Sequence, residues 1–194
     1  LMYVRFGKRV CDLVVGLVAL PFVLLIIAVL APFIHFEDKG PVFYNAPRVG
    51  KDGRDFKMYK LRSMRVNAPD LIMEDGSTYN GADDPRMTRV GAFMRKTSLD
   101  EMPQFLNVLK GDMSLVGPRP ALPEEVARYG SLYSARLLVK PGITGPWQVS
   151  GRSDLSQEQS EYLDVSYIEN WSIAGDLAIL AKTVMVIFTG RGSY

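Results

Sequence analysis

Twenty-two consecutive residues, LVVGLVALPFVLLIIAVLAPFI from Leu13 to Ile34, carry no charge. As a helix this run would be about 33 Å long, enough to cross the hydrocarbon core of a bilayer. A secretory signal is a poor match, because its apolar region covers only about 7–15 residues. A helix buried in a water-soluble core is rarely this apolar on every face. The segment is therefore expected in a membrane, either as a full span or as a re-entrant hairpin that enters and leaves on one face. Pro21 lies inside the run and removes a helical hydrogen bond, although kinked spanning helices also exist. The flanks say more. Arg5, Lys8 and Arg9 precede the run, and Lys39, Arg48, Lys51 and Arg54 follow it. Cytoplasmic flanks carry the Lys/Arg excess. A hairpin keeps both flanks in the cytoplasm, whereas a span sends one across. On the residues alone both arrangements stay open. His35, at the exit, reads as an interfacial side chain rather than a ligand.

The 194 residues are enough for one domain with a hydrophobic core. A net charge of +2 argues against a dedicated nucleic-acid binder. The charge is uneven: residues 1–65 hold 11 Lys/Arg against 5 Asp/Glu, and residues 66–194 hold 12 against 16. A basic first third suits an anionic membrane surface. Cys11 is the only cysteine, so no intrachain disulfide forms, which fits a reducing cytoplasm. The chain opens on Leu1 rather than Met, as a fragment or trimmed product of something longer would.

GPVFYNAPRVGKDGRDFKMYKLRSM reads as a β-hairpin. Val42–Tyr44 and Phe56–Leu61 are β-rich, and Asp52-Gly53 is a strong turn signal. Residues 67–84 are polar, with a further turn at Asn80-Gly81, and are expected to form a loop. Helices are expected over Thr88–Lys96, Asp100–Lys110 (stopped by Gly111), Leu122–Val139, Leu155–Asn170 and Asp176–Phe188. The last is apolar except for Lys182, so it packs on the core or lies in the interface. Pro141–Arg152, PGITGPWQVSGR, is turn-rich. Trp147 and Trp171 suit either interfacial anchors or core aromatics.

The stretch TSLDEMPQFLNVLKGDMSLVGPRP sets Asp100 beside Glu101. Ser98 to Glu101 spells S-x-x-E, a capping box. Pro103 favours a later start: with Asp100 as N-cap it falls in the first turn, where its missing N–H costs little. The helix is then expected to begin at Asp100 and aim free N–H groups at an anion. Arg86, Arg89, Arg95 and Lys96 precede the acids. Arg119 follows, pinned between Pro118 and Pro120. Arginine forks match phosphate oxygens. Singly, each arginine is as well read as a surface ion pair. Together with two carboxylates and an apolar segment they point to phosphoryl chemistry at a membrane surface.

KRVCD (Lys8–Asp12), KLRSM (Lys60–Met64), DPRMTRVG (Asp84–Gly91), the block Arg95–Pro120 and PGITG (Pro141–Gly145) resemble the bacterial sugar transferase family, the monotopic polyprenyl-phosphate phosphoglycosyl transferases. The resemblance covers nearly the whole chain, and its end resembles the catalytic C-terminus of the longer members. The fold it implies is α+β: a mostly helical membrane-associated domain with a re-entrant N-terminal membrane helix, a small β-hairpin and interfacial amphipathic helices. Residues 1–36 would be the membrane hairpin, breaking near Pro21, and 37–194 the catalytic domain. Its place would be the cytoplasmic face of the bacterial inner membrane. Pro146 departs from the pattern, where leucine is expected, and removes a backbone N–H from that turn.

The resemblance implies transfer of a sugar phosphate from a UDP-sugar to polyprenyl phosphate, with release of UMP, at the start of surface glycan assembly. Asp100 matches the family's nucleophile and Glu101 the carboxylate that helps to hold Mg2+. Magnesium prefers oxygen ligands and offsets diphosphate charge. Adjacent residues point about 100° apart on a helix, which suits two different roles. Arg119, framed by Pro118 and Pro120, would neutralise phosphate oxygens together with Arg95 and Arg62. Lys60 and Arg62 would meet the lipid phosphate. Gln148 and Arg152 are candidates for the nucleotide-sugar side. The expected partners are the UDP-sugar, polyprenyl phosphate, the phospholipid bilayer and, as a candidate, a second copy in a homodimer. Rival readings are a membrane-anchored UDP-sugar hydrolase and a non-catalytic module whose acids only cap a helix.

Overall fold

The apolar run forms the middle of one long helix, α1 (Lys8–Asp38), about 46 Å measured along its axis. The computed structural model describes residues 6–69, 71, 79, 81, 83–127, 133–151 and 155–189. Only 17% of the most apolar window of α1 is buried, so it is not a core helix. The helix continues past Pro21 and Pro32, although neither has an N–H for the helical bond, and both prolines lie on the exposed side. The break expected near Pro21 is therefore not a change of secondary structure. Val14, Leu17, Val18, Phe22, Leu25, Val29 and Phe33 are exposed along the same helix.

Both ends of α1 are tied to the rest of the chain. At its start Lys8 Nζ lies 2.6 Å from Asp176 Oδ2 and donates to Tyr167 Oη at 3.2 Å. Arg9 donates to the carbonyls of Val108 and Leu109 at 2.6 and 2.8 Å. Asp12 Oδ1 accepts from Ser114 Oγ and the Leu115 N–H, both at 2.9 Å. Gly16 admits the Leu109 side chain, which would lie 2.8 Å from a Cβ there. At the other end Leu30 and Ile34 enter a core with Leu61 and Met94. Glu37 accepts the N–H groups of Arg89 and Val90.

The hairpin forms from β1 (Ala46–Val49) and β2 (Asp55–Met58), with Ala46 opposite Met58 and Val49 opposite Asp55. Asp52 (φ 60°) and Gly53 (φ 71°) turn the chain as expected for a primed turn. The first strand lies four residues later than expected. The ladder nevertheless continues through Val42–Tyr44, because Tyr44 N–H donates to the Lys60 carbonyl and Arg62 N–H to the Val42 carbonyl. Asn107 stitches β2 to α3 (Gln104–Lys110), accepting from Tyr59 N–H at 2.9 Å and donating to the Lys57 carbonyl at 2.8 Å.

Helix α2 (Arg89–Thr97) is capped by Thr88, whose hydroxyl accepts from Gly91 N–H. The next helix corrects the expectation of a start at Asp100. Ser98 adopts a left-handed conformation (φ 56°) and closes the C-terminus of α2, so it forms no capping box with Glu101. Leu99–Glu101 is one 3-10 turn, and α3 begins only at Gln104, with Pro103 as its N-cap. The N–H groups of Glu101 and Met102 bond back to Ser98 and Leu99, so they do not form an anion site. Gly111 (φ 97°) ends α3 as expected.

A parallel pair, β3 (Ser114–Val116) with β4 (Gly142–Thr144), replaces part of the expected turns. A Cβ on Gly142 would fall 2.1 Å from the Gly117 nitrogen, so the pairing requires glycine there. The expected helix over Leu122–Val139 is instead a single turn, α4 (Pro123–Val126), and a 3-10 segment, Tyr133–Leu138. Helix α5 (Gln157–Glu169) opens on a Ser156–Gln159 capping box. Helix α6 (Ile173–Thr189) buries Asp176 and exposes Ile173, Leu177, Val184 and Met185. Trp171 is a core aromatic packed beside Tyr167. In the loop before α2, Arg86 binds Asp84 and the Tyr79 carbonyl; Asn80 lies outside the described residues.

Candidate active site

The hairpin arm leaving β2 carries Lys60, and the 3-10 turn after α2 carries Asp100 and Glu101. The two meet because Leu61 N–H donates to the Asp100 carbonyl at 2.9 Å. Lys60 Nζ then lies 3.0 Å from Asp100 Oδ2 and 3.3 Å from Glu101 Oε1. Asp100 is 2% exposed, whereas the Glu101 side chain is 43% exposed. The adjacent acids thus occupy different environments. Lys60 approaches Asp100 Oδ2 off the hydrogen-bonding angle, which leaves that buried oxygen without a well-formed donor.

Burial raises the Asp100 pKa above the usual aspartate value. Lys60 opposes the shift and the Glu101 charge adds to it. Burial works hardest against the Lys60 ammonium, yet Glu101 and Asp100 outweigh it and hold its pKa above the usual lysine value. The arrangement is a buried, under-bonded carboxylate beside a fixed cation and an accessible second acid. That is what a carboxylate nucleophile needs: desolvation for reactivity and a countercharge to hold it.

Arg95 belongs to this cluster. Its charge acts on both Asp100 and Lys60, and its Nε donates to Ser63 Oγ at 3.2 Å. Arg62 does not belong, although it stands two residues from Lys60. Its guanidinium grips Asp38 at 2.6 and 2.7 Å and donates to the carbonyls of Ile34, Pro41 and Met64. A guanidinium with all its donors engaged is a structural lock, so the phosphate role expected for Arg62 is corrected.

Arg119 enters a second cluster. The charges acting most on Asp100 are those of Lys60, Glu101 and Arg95. Arg119 instead lies over the Trp147 ring at 5.7 Å and 3.5 Å from Glu125, close to Arg48. Arg48 stands four residues beyond Tyr44, which pairs with Lys60, so the backbones that carry Lys60 and Arg48 are about 13 Å apart along the hairpin. Pro118 and Pro120 are both buried, and the Pro118 carbonyl accepts from Gly142 N–H. Gln148 donates to the Ile143 carbonyl beneath the same loop. Arg152 lies outside the described residues.

Arg136 and Asp164 escaped the sequence reading, and Arg48 entered it only as a basic flank of the apolar run. Arg136 binds Asp164 Oδ2 at 2.7 Å and the Arg119 carbonyl at 3.2 Å. Burial pushes the Asp164 carboxyl up to about 6 against the opposing pull of Arg136. A lone acid between Leu163 and Val165 was the available signal.

Among the described residues no group of three or more His, Cys, Asp or Glu converges as a self-contained metal cage. Asp100 and Glu101 still fit a magnesium ion shared with substrate phosphates, since Asp100 Oδ2 lacks a well-formed donor and Glu101 is accessible.

The chain is 45% identical over 98% of its length to the UDP-galactose-lipid carrier transferase of Erwinia amylovora, covering 42% of that protein. It is 42% identical to the undecaprenyl-phosphate galactose phosphotransferase of Salmonella typhimurium, over 98% of this chain and 42% of the relative. It is also 42% identical to the exopolysaccharide production protein ExoY of Rhizobium meliloti, over 97% of this chain and 88% of the relative. The chain thus spans less than half the length of the first two relatives. Residues 3–190 match the sequence signature described as bacterial sugar transferase, so the chain belongs to the bacterial sugar transferase family.

Proposed function

We propose that the chain moves a sugar 1-phosphate from a UDP-sugar to undecaprenyl or a related polyprenyl phosphate, releasing UMP. The observation that carries this reading is the buried, under-bonded Asp100 carboxylate held by Lys60 beside accessible Glu101. An Asp100 oxygen attacks the phosphorus that bears the sugar. A carboxylate–phosphorus bond forms, the bond to the UMP oxygen breaks, and UMP leaves with the electron pair. Polyprenyl phosphate then attacks the acyl phosphate, forming the lipid diphosphate and restoring the Asp100 carboxylate. One phosphoanhydride is broken and one made, so the exchange is near balance. Lys60 and Arg95 hold the aspartate and neutralise phosphate oxygens as charge moves. Glu101, with Asp100 beside it, would hold magnesium, which when bound offsets the charge of the diphosphate.

The test is UMP release from a donor panel with polyprenyl phosphate as acceptor. UDP-galactose heads the panel, since two relatives are named for galactose. Sustained turnover should need the lipid; equal turnover without it would mean hydrolysis. Chelation should lower the rate at least about 100-fold and magnesium should restore it. A full rate in chelator would remove Glu101 from the metal role.

The same reading places α1 as a re-entrant element on the cytoplasmic face of the inner membrane. Support comes from its two tethered ends: Lys8, Arg9 and Asp12 at one, Asp38 and Ile34 at the other, all bound within one domain. A full span would carry one set of partners to the far side. With Tyr3→Cys or Lys39→Cys in a Cys11→Ser background, neither site should react with an impermeant thiol reagent in intact cells, and both should react after lysis. Labelling of Tyr3→Cys alone in intact cells would establish a span.

A further inference from the structure

Arg119 has an unusual division between its backbone and its side chain. It stands between two buried prolines, which lack N–H groups, so its own amide is the only backbone donor of the Pro118-Arg119-Pro120 stretch. That amide faces the Asp164 carboxylate and lowers its pKa, though short of full hydrogen-bond geometry, since Asp164 Oδ1 keeps no well-formed partner. The Arg119 carbonyl accepts from Arg136 Nη2 at 3.2 Å, and the same nitrogen lies 2.7 Å from Asp164 Oδ2. The Arg119 backbone is thus addressed at both its N–H and its carbonyl by one ion pair. The Arg119 side chain, by contrast, is 44% exposed, with its guanidinium over the Trp147 ring at 5.7 Å and 3.5 Å from Glu125. Arg62 shows the opposite arrangement, a head group fully engaged by the fold.

We infer that Asp164 and Arg136 are positioning residues for Arg119: they fix its backbone so that its exposed side chain presents the guanidinium to a phosphate of the substrate. The inference rests on the phosphate-transfer reading above. Asp164 carries a cost that packing alone does not explain. Its side chain is 1% exposed, and a buried carboxylate with an oxygen lacking a good donor is unfavourable unless its charge is used. Its place suits the role. The 3-10 segment bearing Arg136 packs on both α5 and the hairpin turn, so the pair bridges the helix to the edge where Arg48 stands. The charged groups facing this pair are Arg119 itself and, around its side chain, Arg48 of β1 with Glu124 and Glu125 of α4.

The experiment measures kcat/KM of the full chain in lipid nanodiscs, with wild type, Asp164→Asn, Arg136→Lys, Arg119→Ala and the Arg119→Ala combinations. Asp164→Asn and Arg136→Lys should each lower kcat/KM by about 10–100-fold, as misplacement of a binding group does. In the Arg119→Ala background neither should lower it further, because the group they position is gone. The wild-type rate should fall as pH drops through about 6, where Asp164 takes a proton. That acid limb should be absent from Asp164→Asn. Thermal unfolding of each variant separates folding loss from misplacement, and Arg136→Lys carries the test where Asp164→Asn unfolds. An undiminished rate in both single variants, or the same loss with and without the Arg119 side chain, would overturn the inference. An inactive wild type would instead sink the transferase reading.

Discussion

Asp100→Asn is expected to lower turnover by at least about 10⁴-fold, the scale on which removal of a covalent nucleophile acts. The substitution keeps shape and polarity and removes the attacking anion. The fold should tolerate it, since burial already disfavours the charged Asp100. Lys60 would lose one of its two partners and keep Glu101 at 3.3 Å. The direct readout is the mass of the intact protein after incubation with UDP-sugar and no acceptor. Wild type should gain one sugar phosphate, and Asp100→Asn should gain nothing. An adduct that survives the substitution would assign the nucleophile elsewhere. A non-catalytic module would show no adduct in either protein and no loss of glycan assembly on substitution.

Arg62→Ala should destabilise the folded chain by roughly 3–5 kcal/mol, the usual cost of removing one partner from a buried ion pair. It would leave Asp38 without its countercharge and strand the carbonyls of Ile34, Pro41 and Met64. Arg62→Lys should rescue little, because one ammonium cannot reproduce the fork on both Asp38 oxygens. The lock also has a pH signature. Arg62 hydrogen bonding holds the Asp38 pKa below its unfolded value. Its contribution is therefore present above about pH 4 and lost as pH falls through the folded pKa. Thermal unfolding in detergent reads both effects. An Arg62→Ala protein as stable as wild type but slow in turnover would return Arg62 to the substrate.

This pair of residues also shows how far the sequence was legible. Lys60 and Arg62 sit in one KLRSM stretch and look alike as phosphate binders. Tertiary packing alone sends one to Asp100 and the other to the end of α1. Signals carried within a few residues read well: the uncharged run of α1, the Asp52-Gly53 turn, the Gly111 stop and the Ser156 cap. Pro103 is equally local and misled: it set the helix start at Asp100, whereas the reversal after α2 takes Ser98 as a left-handed C-cap and α3 starts only at Gln104. Strands β3 and β4 have three residues each and pair across 25 intervening positions, too short and too distant for periodicity to reveal. In the site, the adjacent acids and the proline-framed arginine stood out. The Asp164–Arg136 pair did not, since its meaning lies in a peptide carbonyl 17 residues before Arg136.

The tie between Lys8 and Asp176 spans 168 positions, and that between Asp12 and Ser114 spans 102. During synthesis α1 leaves the ribosome long before either partner exists. At about 5–20 residues per second, Lys8 waits roughly 8–34 s for Asp176. Over that interval the apolar helix lacks these two protein partners. On the membrane placement proposed above, its insertion would be completed by lipid and by its own flanking charges, ahead of the domain. The rest of the chain would then fold onto an anchor already in place, with late closure by Lys8 and Asp12 as the checkpoint of assembly. On that placement, variants of these two residues should release their α1 from the finished domain while leaving it in the bilayer.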